Sequence, residues 1–557
     1  MTCPHREDIP SNRNIINLSQ LEYTKAKCPI EEGSCTLCQE ILTVEKDIEE
    51  AVIRLKSLLS RHQRLKTELN HNHSPIIRDL PVEMLSTIFY SCFSEEFRQD
   101  DGELMYGDFF IPLKIGSVCR TWRQVAWSTP ELWTIIHFQR LFRTTFEVCD
   151  QYKMMEEWIH RSRALPIYVS LYEYAEENAN LGREADGCNC WNKSLELLAQ
   201  CCDRWKDATL DLSRASFEYI ASNLKLKAPT RNLTLGTDEL WPLVADASEV
   251  LNLWQESGFG ANPITVNFNH SVRFMHFSID WQCVTEVNSQ GWLPLECAIL
   301  LRHAPRLVSC TFTEVDDFGV ESQPIVNWPI VYHNTLRQLS FKCDVSPAGF
   351  FDQVALTSLE EFEYSPHHGS DLSVDDGQIL MAFLCRSGFR LSKLSLGRNR
   401  FTHEFVVAVL NTVPSLKHLS LCFSYFPSDT DIRAMDSFLL HLARTAMSPS
   451  RTDGQASRFL PRLEVLELHG CRYYDFPWRS VPDVFGHPSE LGRDERRPLK
   501  LLVLPNWDLP SGVRGVPSDV VACLVGLQEA GVSISYRVRS GDGCKLIPMT
   551  WVQPTVV

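Results

Sequence analysis

The segment LSKLSL, residues 391–396, places apolar residues at its first, fourth and sixth positions. Alternation over its second half is typical of a half-buried strand, whose successive side chains point to opposite faces. The same frame recurs at 307–312, 336–341, 359–364, 416–421, 463–468 and 499–504, with shorter versions at 208–212 and 231–235. The sequence therefore predicts a long series of short, equivalent strands.

The segments between these frames predict the rest of each unit. Proline-bearing turns precede several frames, as at 304–306, 413–415 and 460–462. Apolar stretches at 379–384 and 405–410 are long enough to be helical. We expect units of strand, turn, helix and turn, with insertions near 448–457 and 471–497.

This pattern resembles the strand segment of leucine-rich repeats, in which one face of each short strand covers the core of a stacked solenoid. The resemblance implies an irregular α/β solenoid over residues 201–545. The alternative is that the frames are parallel strands of an ordinary α/β sheet. Recurrence of the frame and the absence of a nucleotide-binding loop favour the solenoid.

Upstream, residues 79–133 predict two amphipathic helices. In the first, DLPVEMLSTIFYSCF, apolar residues recur at helical spacing after Pro81, a residue that suits a helix start. In the second, apolar residues from Ile115 to Val125 step by three and four. The acidic segment between them must loop out if the helices pack together.

The residues of this hairpin resemble the F-box, and STPELW at 128–133 is similar to the version found in large fungal F-box families. An insertion at about 94–111 departs from the usual short link. The resemblance implies docking on the Skp adaptor of a cullin-based ubiquitin ligase. The docking residues it implies are Leu80, Pro81, Leu85, Ile88, Phe89, Val118, Cys119, Trp122 and Val125, some of which must instead pack inside the domain.

A heptad pattern precedes the hairpin over residues 39–72. Its seam predicts a coiled coil that pairs two copies of the chain or folds back on the hairpin, and His62 is its one polar position. The apolar seam residues are Ile41, Val44, Ile48, Leu55, Leu58, Leu65 and Leu69, with Ala51 between them.

Composition narrows the class of protein. The chain has 557 residues, 44% of them hydrophobic, and a formal net charge of −16, which disfavours nucleic acid and anionic lipid as partners. No run reaches the roughly 18 apolar residues of a membrane span. The polar start predicts no secretory signal, and scattered cysteines beside apolar residues indicate reduced thiols. We expect a cytoplasmic or nuclear protein.

Sites for metals and catalysis find little support. Cys28, Cys35 and Cys38 lack a second ligand pair for zinc, and the Cys188-x-Cys190 pair is interpreted as part of a surface loop. The segment CRSGFR at 385–390 is one residue too short for a cysteine-phosphatase loop. Acidic and aromatic residues near 375–376 and 473–478 could instead bind a partner or fill the core. We expect no metal, no cofactor and no catalytic residue.

Together these features predict a mixed α and α/β protein that recognises a substrate for a Skp-cullin-F-box ubiquitin ligase. Alternatives are an interaction scaffold with a degenerate F-box and, less favoured, an enzyme with an unrecognised site. The predicted segments are a flexible arm (1–38), a coiled-coil helix (39–72), an F-box-like domain (76–140), a connecting segment (141–200), the repeat region (201–545) and a tail (546–557).

Overall fold

A computed structural model describes most of the chain, which divides into two compact units. The first unit is drawn from residues 1–137, 143–165 and 180–193, and the second holds the remainder. The described residues are 35–73, 80–96, 110–141, 145–174, 189–224, 226, 231–237, 250–253, 263–270, 272–316, 329–366, 374–387, 390–397, 402–423, 429–446, 459–469, 476–491, 496–504, 516–540 and 543–549.

Helices and strands alternate along most of the described chain. The helices are α1 (Thr36–His73), α2 (Val82–Glu96), α3 (Ile111–Val118), α4 (Arg120–Ser128), α5 (Thr145–Arg161), α6 (Cys190–Gln200), α7 (Arg214–Tyr219), α8 (Pro294–His303), α9 (Ala348–Phe351), α10 (Val374–Ser387), α11 (His403–Asn411), α12 (Asp429–Arg444), α13 (Val481–Phe485) and α14 (Ser518–Glu529). The strands are β1 (Ile135–Leu141), β2 (Ile167–Tyr174), β3 (Trp205–Asp211), β4 (Asn232–Thr237), β5 (Thr265–His270), β6 (Glu286–Gln290), β7 (Ser309–Val315), β8 (Val331–His333), β9 (Gln338–Cys343), β10 (Val354–Leu356), β11 (Glu361–Pro366), β12 (Lys393–Leu396), β13 (His418–Cys422), β14 (Val465–His469), β15 (Leu501–Leu504), β16 (Ser533–Ser540) and β17 (Gly543–Pro548).

The strands of the second unit pair in chain order. Within the described residues, one sheet contains fifteen strands. The other two strands, β8 and β10, pair with each other in a separate sheet. Pairing from β2 to β16 is parallel, and β17 lies antiparallel on β16. The mixed α/β class is confirmed, as are strands at all nine predicted frames and helices over 379–384 and 405–410.

Register aligns equivalent residues of neighbouring strands into rows. One buried row runs from Leu339 through Phe362, Leu394 and Leu419 to Leu466. This row forms part of the apolar core on one face of the sheet.

Aromatic rings thicken this core around β7, β9 and β11. The rings of Phe341 and Phe350 stack with centroids 4.7 Å apart, and those of Phe351 and Phe383 stack at the same distance. All four side chains are fully buried. Helices α9 and α10 supply three of these rings, so the segments between strands complete the core that the strands begin.

The hairpin of the first unit begins at Pro81, whose carbonyl accepts hydrogen bonds from the amides of Met84 and Leu85. The predicted second helix is wrong in one respect, because it is two helices, α3 and α4. Cys119 breaks the chain between them with an extended backbone (φ −157°, ψ 174°), and its Sγ accepts a hydrogen bond from the Trp122 amide at 3.4 Å. The thiol therefore caps α4, a role that an apolar periodicity does not reveal.

The hairpin has its own small core. Leu85 and Phe89 of α2 and Val125 of α4 are buried, and the Phe89 ring lies 5.0 Å from that of Trp122. The indole of Trp133 donates to the Ala126 carbonyl at 2.8 Å. Two elements far apart in the sequence, residues 82–96 and 120–133, thus form one packed domain.

Some predicted boundaries differ from the observed elements. The sheet begins at β1 and β2, within segments that the sequence assigned to the F-box-like domain and the connector rather than to a repeat region starting at 201. At the other end, β17 runs to Pro548 and crosses the predicted tail boundary. The coiled-coil segment is confirmed as a helix, α1, and no described helix is long and apolar enough to cross a membrane.

Candidate functional site

The hairpin leaves an apolar surface uncovered. Only Leu85 and Phe89 of α2 and Val125 and Ala126 of α4 are buried among the described residues of these two helices. The exposed apolar side chains are Val82, Met84, Ile88 and Tyr90 on α2 and Phe110, Leu113, Val118 and Trp127 around α3 and α4. We call this set the hairpin surface. Contiguous exposed apolar residues mark protein-binding surfaces, so this set is the hairpin's candidate for one.

The nine residues predicted to bind the adaptor fall into three groups. Leu85, Phe89 and Val125 form the hairpin core, and Leu80, Cys119 and Trp122 are half-buried. Pro81, Ile88 and Val118 are exposed. The exposed group can touch a partner directly, whereas the buried group can act only by holding the hairpin together.

Trp127 is fixed at the edge of the hairpin surface by a cation–π contact. The Arg161 guanidinium of α5 lies 4.2 Å from the centre of the Trp127 ring and 4.7 Å from that of Trp133. Glu157 pairs with Arg161 at 2.7 Å and orients it. Such contacts contribute about 0.5–2 kcal/mol each and limit the rotamers of the exposed indole.

Gly116 lies where α3 meets α4, close to Arg123 and Trp127 of the second helix. The Arg123 side chain packs on the glycine and donates from Nε to its carbonyl at 2.8 Å. This bond satisfies a carbonyl in the last turn of α3 that has no partner within the helix. Arg123 therefore links α4 to the end of α3.

The seam of α1 is also uncovered. All seven apolar seam residues predicted from the heptads are exposed, and His62 is exposed among them. Within the described residues nothing covers this stripe, so packing of the seam back on the hairpin is not observed. Pairing with a second copy of the chain stays a prediction.

The second unit presents a different surface, the polar face of its sheet. Residues that alternate with the core rows form two rows of polar side chains across the strands. The first row is Asp207, Asn232, Thr265, Glu286, Ser309, Gln338, Glu361, Lys393 and His418, and the second is Thr209, Thr234, Asn267, Asn288, Thr311, Ser340, Glu363, Ser395, Ser420 and Glu467.

Hydrogen bonds between neighbouring strands order these rows. Asn267 donates to Thr234 Oγ1 at 3.1 Å and accepts from Asn288 Nδ2 at 2.9 Å, so three strands share one chain of bonds. Burial raises the pKa of Asp207, an effect that Lys206 and the Asn232 amide oppose. The polar face is a fixed array of donors and acceptors rather than a set of mobile side chains.

A groove of about 690 Å³ runs along the polar face from β7 to β14. Its carboxylates are partly neutralised, because Glu363 pairs with Lys342 at 3.1 Å and Glu361 with Lys393 at 3.4 Å. We call it the polar groove.

At its far end, the buried Glu467 lies between two histidines. The Nε2 atoms of His418 and His469 are 3.0 Å and 3.2 Å from its two carboxylate oxygens. Charges of both signs and many hydroxyl groups make this groove suited to a polar peptide rather than to an apolar ligand.

The described residues give no support to a catalytic site. Cys385 lies exposed on helix α10 rather than in a phosphate-binding loop, and the Arg386 guanidinium donates to the carbonyls of Phe351 and Val354. Burial raises the pKa of the Cys201 thiol to about 11 and that of Cys343 to about 12. Those thiols are held in the unreactive protonated form.

Other predicted candidates are placed as follows. Cys190 begins helix α6 and is buried, so the surface-loop interpretation of that cysteine is wrong, while Cys188 lies outside the described residues. Phe476 and Trp478 are buried and their rings meet edge to face with centroids 4.8 Å apart, which favours the core interpretation over partner binding. No group of three or more potential metal ligands occurs among the described residues, although Cys3 and Cys28 lie outside them.

Comparisons with known proteins return no relative. The sequence matches no protein-family model and no curated protein. The function is therefore argued from the residues and surfaces described above.

Proposed function

We propose that the chain is the substrate-recognition subunit of a Skp-cullin-F-box type ubiquitin ligase. The observation that carries the proposal is the F-box-like sequence folded as a helical hairpin that leaves Ile88 and Val118 exposed. On this proposal those side chains, with Pro81, enter an apolar pocket of the Skp adaptor. Full burial of an aliphatic side chain contributes about 1.5–3 kcal/mol, so a few such contacts can supply a stable interface.

The second unit would then hold the substrate. We propose that its sheet is a leucine-rich-repeat-like solenoid. Strand pairing in chain order and the alignment of equivalent residues in rows support this. A solenoid offers an extended face of side chains at fixed spacing, which suits recognition of a protein segment. The ligase would act by bringing that segment close to a ubiquitin-charged enzyme, with no chemistry of its own.

Coprecipitation of the Skp adaptor tests the proposal. We expect the full chain to bring down the adaptor and the double variant Ile88→Asp/Val118→Asp to bring down about tenfold less or lower, because charges cannot enter an apolar pocket. Leu295→Asp is the control, because it also replaces an exposed apolar side chain by a carboxylate. Leu295 lies on α8 of the second unit and is not part of the hairpin surface.

Two outcomes would overturn the adaptor role. One is a wild-type chain that brings down no adaptor. The other is a double variant that remains folded and brings down as much adaptor as wild type. Circular dichroism of the variant separates lost docking from lost folding. In either case the chain would be an interaction scaffold whose hairpin serves another purpose.

A further inference from the structure

A second groove lies at the starts of the strands rather than on the polar face. Its cavity of about 710 Å³ is lined by residues that precede β6, β7, β9, β11 and β12. Among the described residues that line it, three are arginines, Arg306, Arg337 and Arg390, and Glu360 is the one with a carboxylate. We call it the arginine groove.

Hydrogen bonds connect the turns that form the walls of this groove. Thr335 Oγ1 donates to the carbonyls of Pro305 and Leu307, each at 2.9 Å, and Ser358 Oγ donates to the Asn334 carbonyl at 2.6 Å. The Thr335 bonds join the turn before β9 to the turn before β7, and the Ser358 bond joins the turn before β11 to the turn before β9. The backbone that carries the arginines is therefore held in place before any ligand arrives.

The charges of the groove are unbalanced. Glu360 neutralises Arg337 in part, at 3.3 Å, but both side chains are more than half exposed, so the pair is weak. Arg306 and Arg390 make no ion pair with any described residue. Three guanidinium groups against one carboxylate give a local charge of +2 on a chain whose net charge is −16.

This imbalance sets the arginine groove apart from the polar groove. In the polar groove both lysines pair with glutamates of neighbouring strands. In the arginine groove two of three cations have no such partner. A cation without a partner, on a fixed backbone, is available to an incoming anion at little cost in reorganisation.

We propose that the arginine groove binds an acidic peptide segment rich in Asp or Glu. The description of that segment as part of a substrate rests on the proposed function above. The five strand starts span four strand spacings, about 19 Å, which an extended peptide of about six residues covers. Guanidinium groups bind carboxylates through paired hydrogen bonds, so carboxylates at alternate positions of such a peptide can engage Arg306 and Arg390.

Fluorescence anisotropy with the full chain tests this directly. The probe is a fluorescein-labelled peptide of about eight residues in which Glu and Ser alternate. Its control peptide carries Gln at every Glu. We expect the Glu peptide to bind at least about tenfold more tightly, and Arg306→Glu/Arg390→Glu to abolish that preference.

Control variants and a competing polymer complete the test. Arg433→Glu reverses the charge of one exposed arginine, on α12 outside the groove. It should leave the affinity for the Glu peptide within about twofold of wild type. Equal binding of the Glu and Gln peptides, or unchanged affinity in the double variant, overturns the proposal. So does a single-stranded oligonucleotide of equal length that binds as tightly as the Glu peptide, since the groove would then select nucleic acid.

Adaptor coprecipitation by the same variants separates this proposal from the proposed function. Arg306→Glu/Arg390→Glu should bring down as much Skp adaptor as wild type while it loses the Glu peptide. A chain that binds the Glu peptide selectively but brings down no adaptor would overturn the ligase role alone. A chain that brings down adaptor but shows no peptide preference would overturn the arginine groove alone.

Discussion

The hairpin of α2–α4 and the sheet from β2 to β17 expose different chemistry. The hairpin buries Leu85 and Phe89 but leaves Ile88 in solvent, one helical turn from the first of them. The sheet buries its aliphatic and aromatic residues in rows and exposes amides, hydroxyls and charges. In α2 buried and exposed apolar residues follow one another at helical spacing, whereas a strand alternates faces residue by residue.

The difference separates two kinds of recognition. Apolar contacts such as those available at the hairpin surface gain free energy from area removed from water and depend little on salt. Charged contacts such as those at the arginine groove steer and select a partner and weaken as salt screens them. The two surfaces are therefore expected to differ in how salt affects any partner that they bind.

The largest expected effect concerns the core behind the polar face. Phe341→Ala removes a fully buried ring that contacts the rings of Phe312, Phe350 and Phe351, and should lower the unfolding free energy by about 4–5 kcal/mol. Urea unfolding followed by far-ultraviolet circular dichroism measures this. The neighbour Ser340→Ala, on the polar face, should cost about 1 kcal/mol or less. Similar losses for both would contradict the division of faces.

The next effect concerns a buried ion pair in the sheet unit. Arg273→Met leaves Glu296 buried without its guanidinium partner and should cost about 3 kcal/mol near neutral pH. Burial raises the pKa of Glu296, and Arg273 opposes that shift. Without the arginine the raised pKa rises further, so the variant should regain stability as pH falls from about 7 to about 5. Thermal melts across that range check the sign.

An exposed pair supplies the control for the ion-pair experiment. Arg337→Met removes a partner of Glu360 that is more than half exposed, and should change stability by less than about 1 kcal/mol with little pH dependence. If Arg273→Met behaved like Arg337→Met, the pair between Arg273 and Glu296 would not be sealed from water.

A smaller effect divides folding from docking within the hairpin. Leu85→Ala should lower the stability of the first unit by about 2–3 kcal/mol, because the side chain is 1% exposed. Ile88→Ala should leave stability within about 0.5 kcal/mol and yet weaken adaptor binding. Limited proteolysis and adaptor coprecipitation, run on both variants, distinguish the two roles. Equal proteolytic sensitivity would contradict the assignment of Ile88 to the surface.

The smallest effect is a difference in salt response. Raising salt from about 0.05 M to about 0.5 M shortens the screening length to about 4 Å and should weaken binding of the acidic peptide about tenfold. Adaptor binding at the hairpin should change by less than about threefold over that range. Anisotropy and coprecipitation at matched salt concentrations compare them. A parallel decline of both would mean that charge also governs the hairpin.

Local pattern predicted much of the fold. The frame at 391–396 and its repeats located nine strands because alternation is encoded in adjacent residues. β5 and β6 were missed, since Asn267, Asn288 and Ser289 dilute their apolar content. The break at Cys119 was missed because a thiol that caps α4 also fits an apolar stripe.

The surfaces were harder to predict than the elements. Periodicity showed that Leu85 and Ile88 share a stripe, but only packing shows which of them is buried. The arginine groove was missed altogether, although its residues flank the apolar positions of the repeated frame. Arg306 precedes the frame at 307–312 and Arg390 precedes that at 391–396. Comparing such positions across frames could have found the groove.

Strand pairing in chain order also bears on how the second unit is assembled. Each strand of the sheet pairs with the next sheet strand along the chain. Most of the loops closed by these pairings are therefore a few tens of residues long, and the entropic cost of closing them stays modest. On the solenoid proposal, folding can spread outward from any pair of neighbouring strands. An added or lost segment between two strands disturbs only those two. Such a chain can lengthen, shorten and diversify in evolution without rebuilding its core.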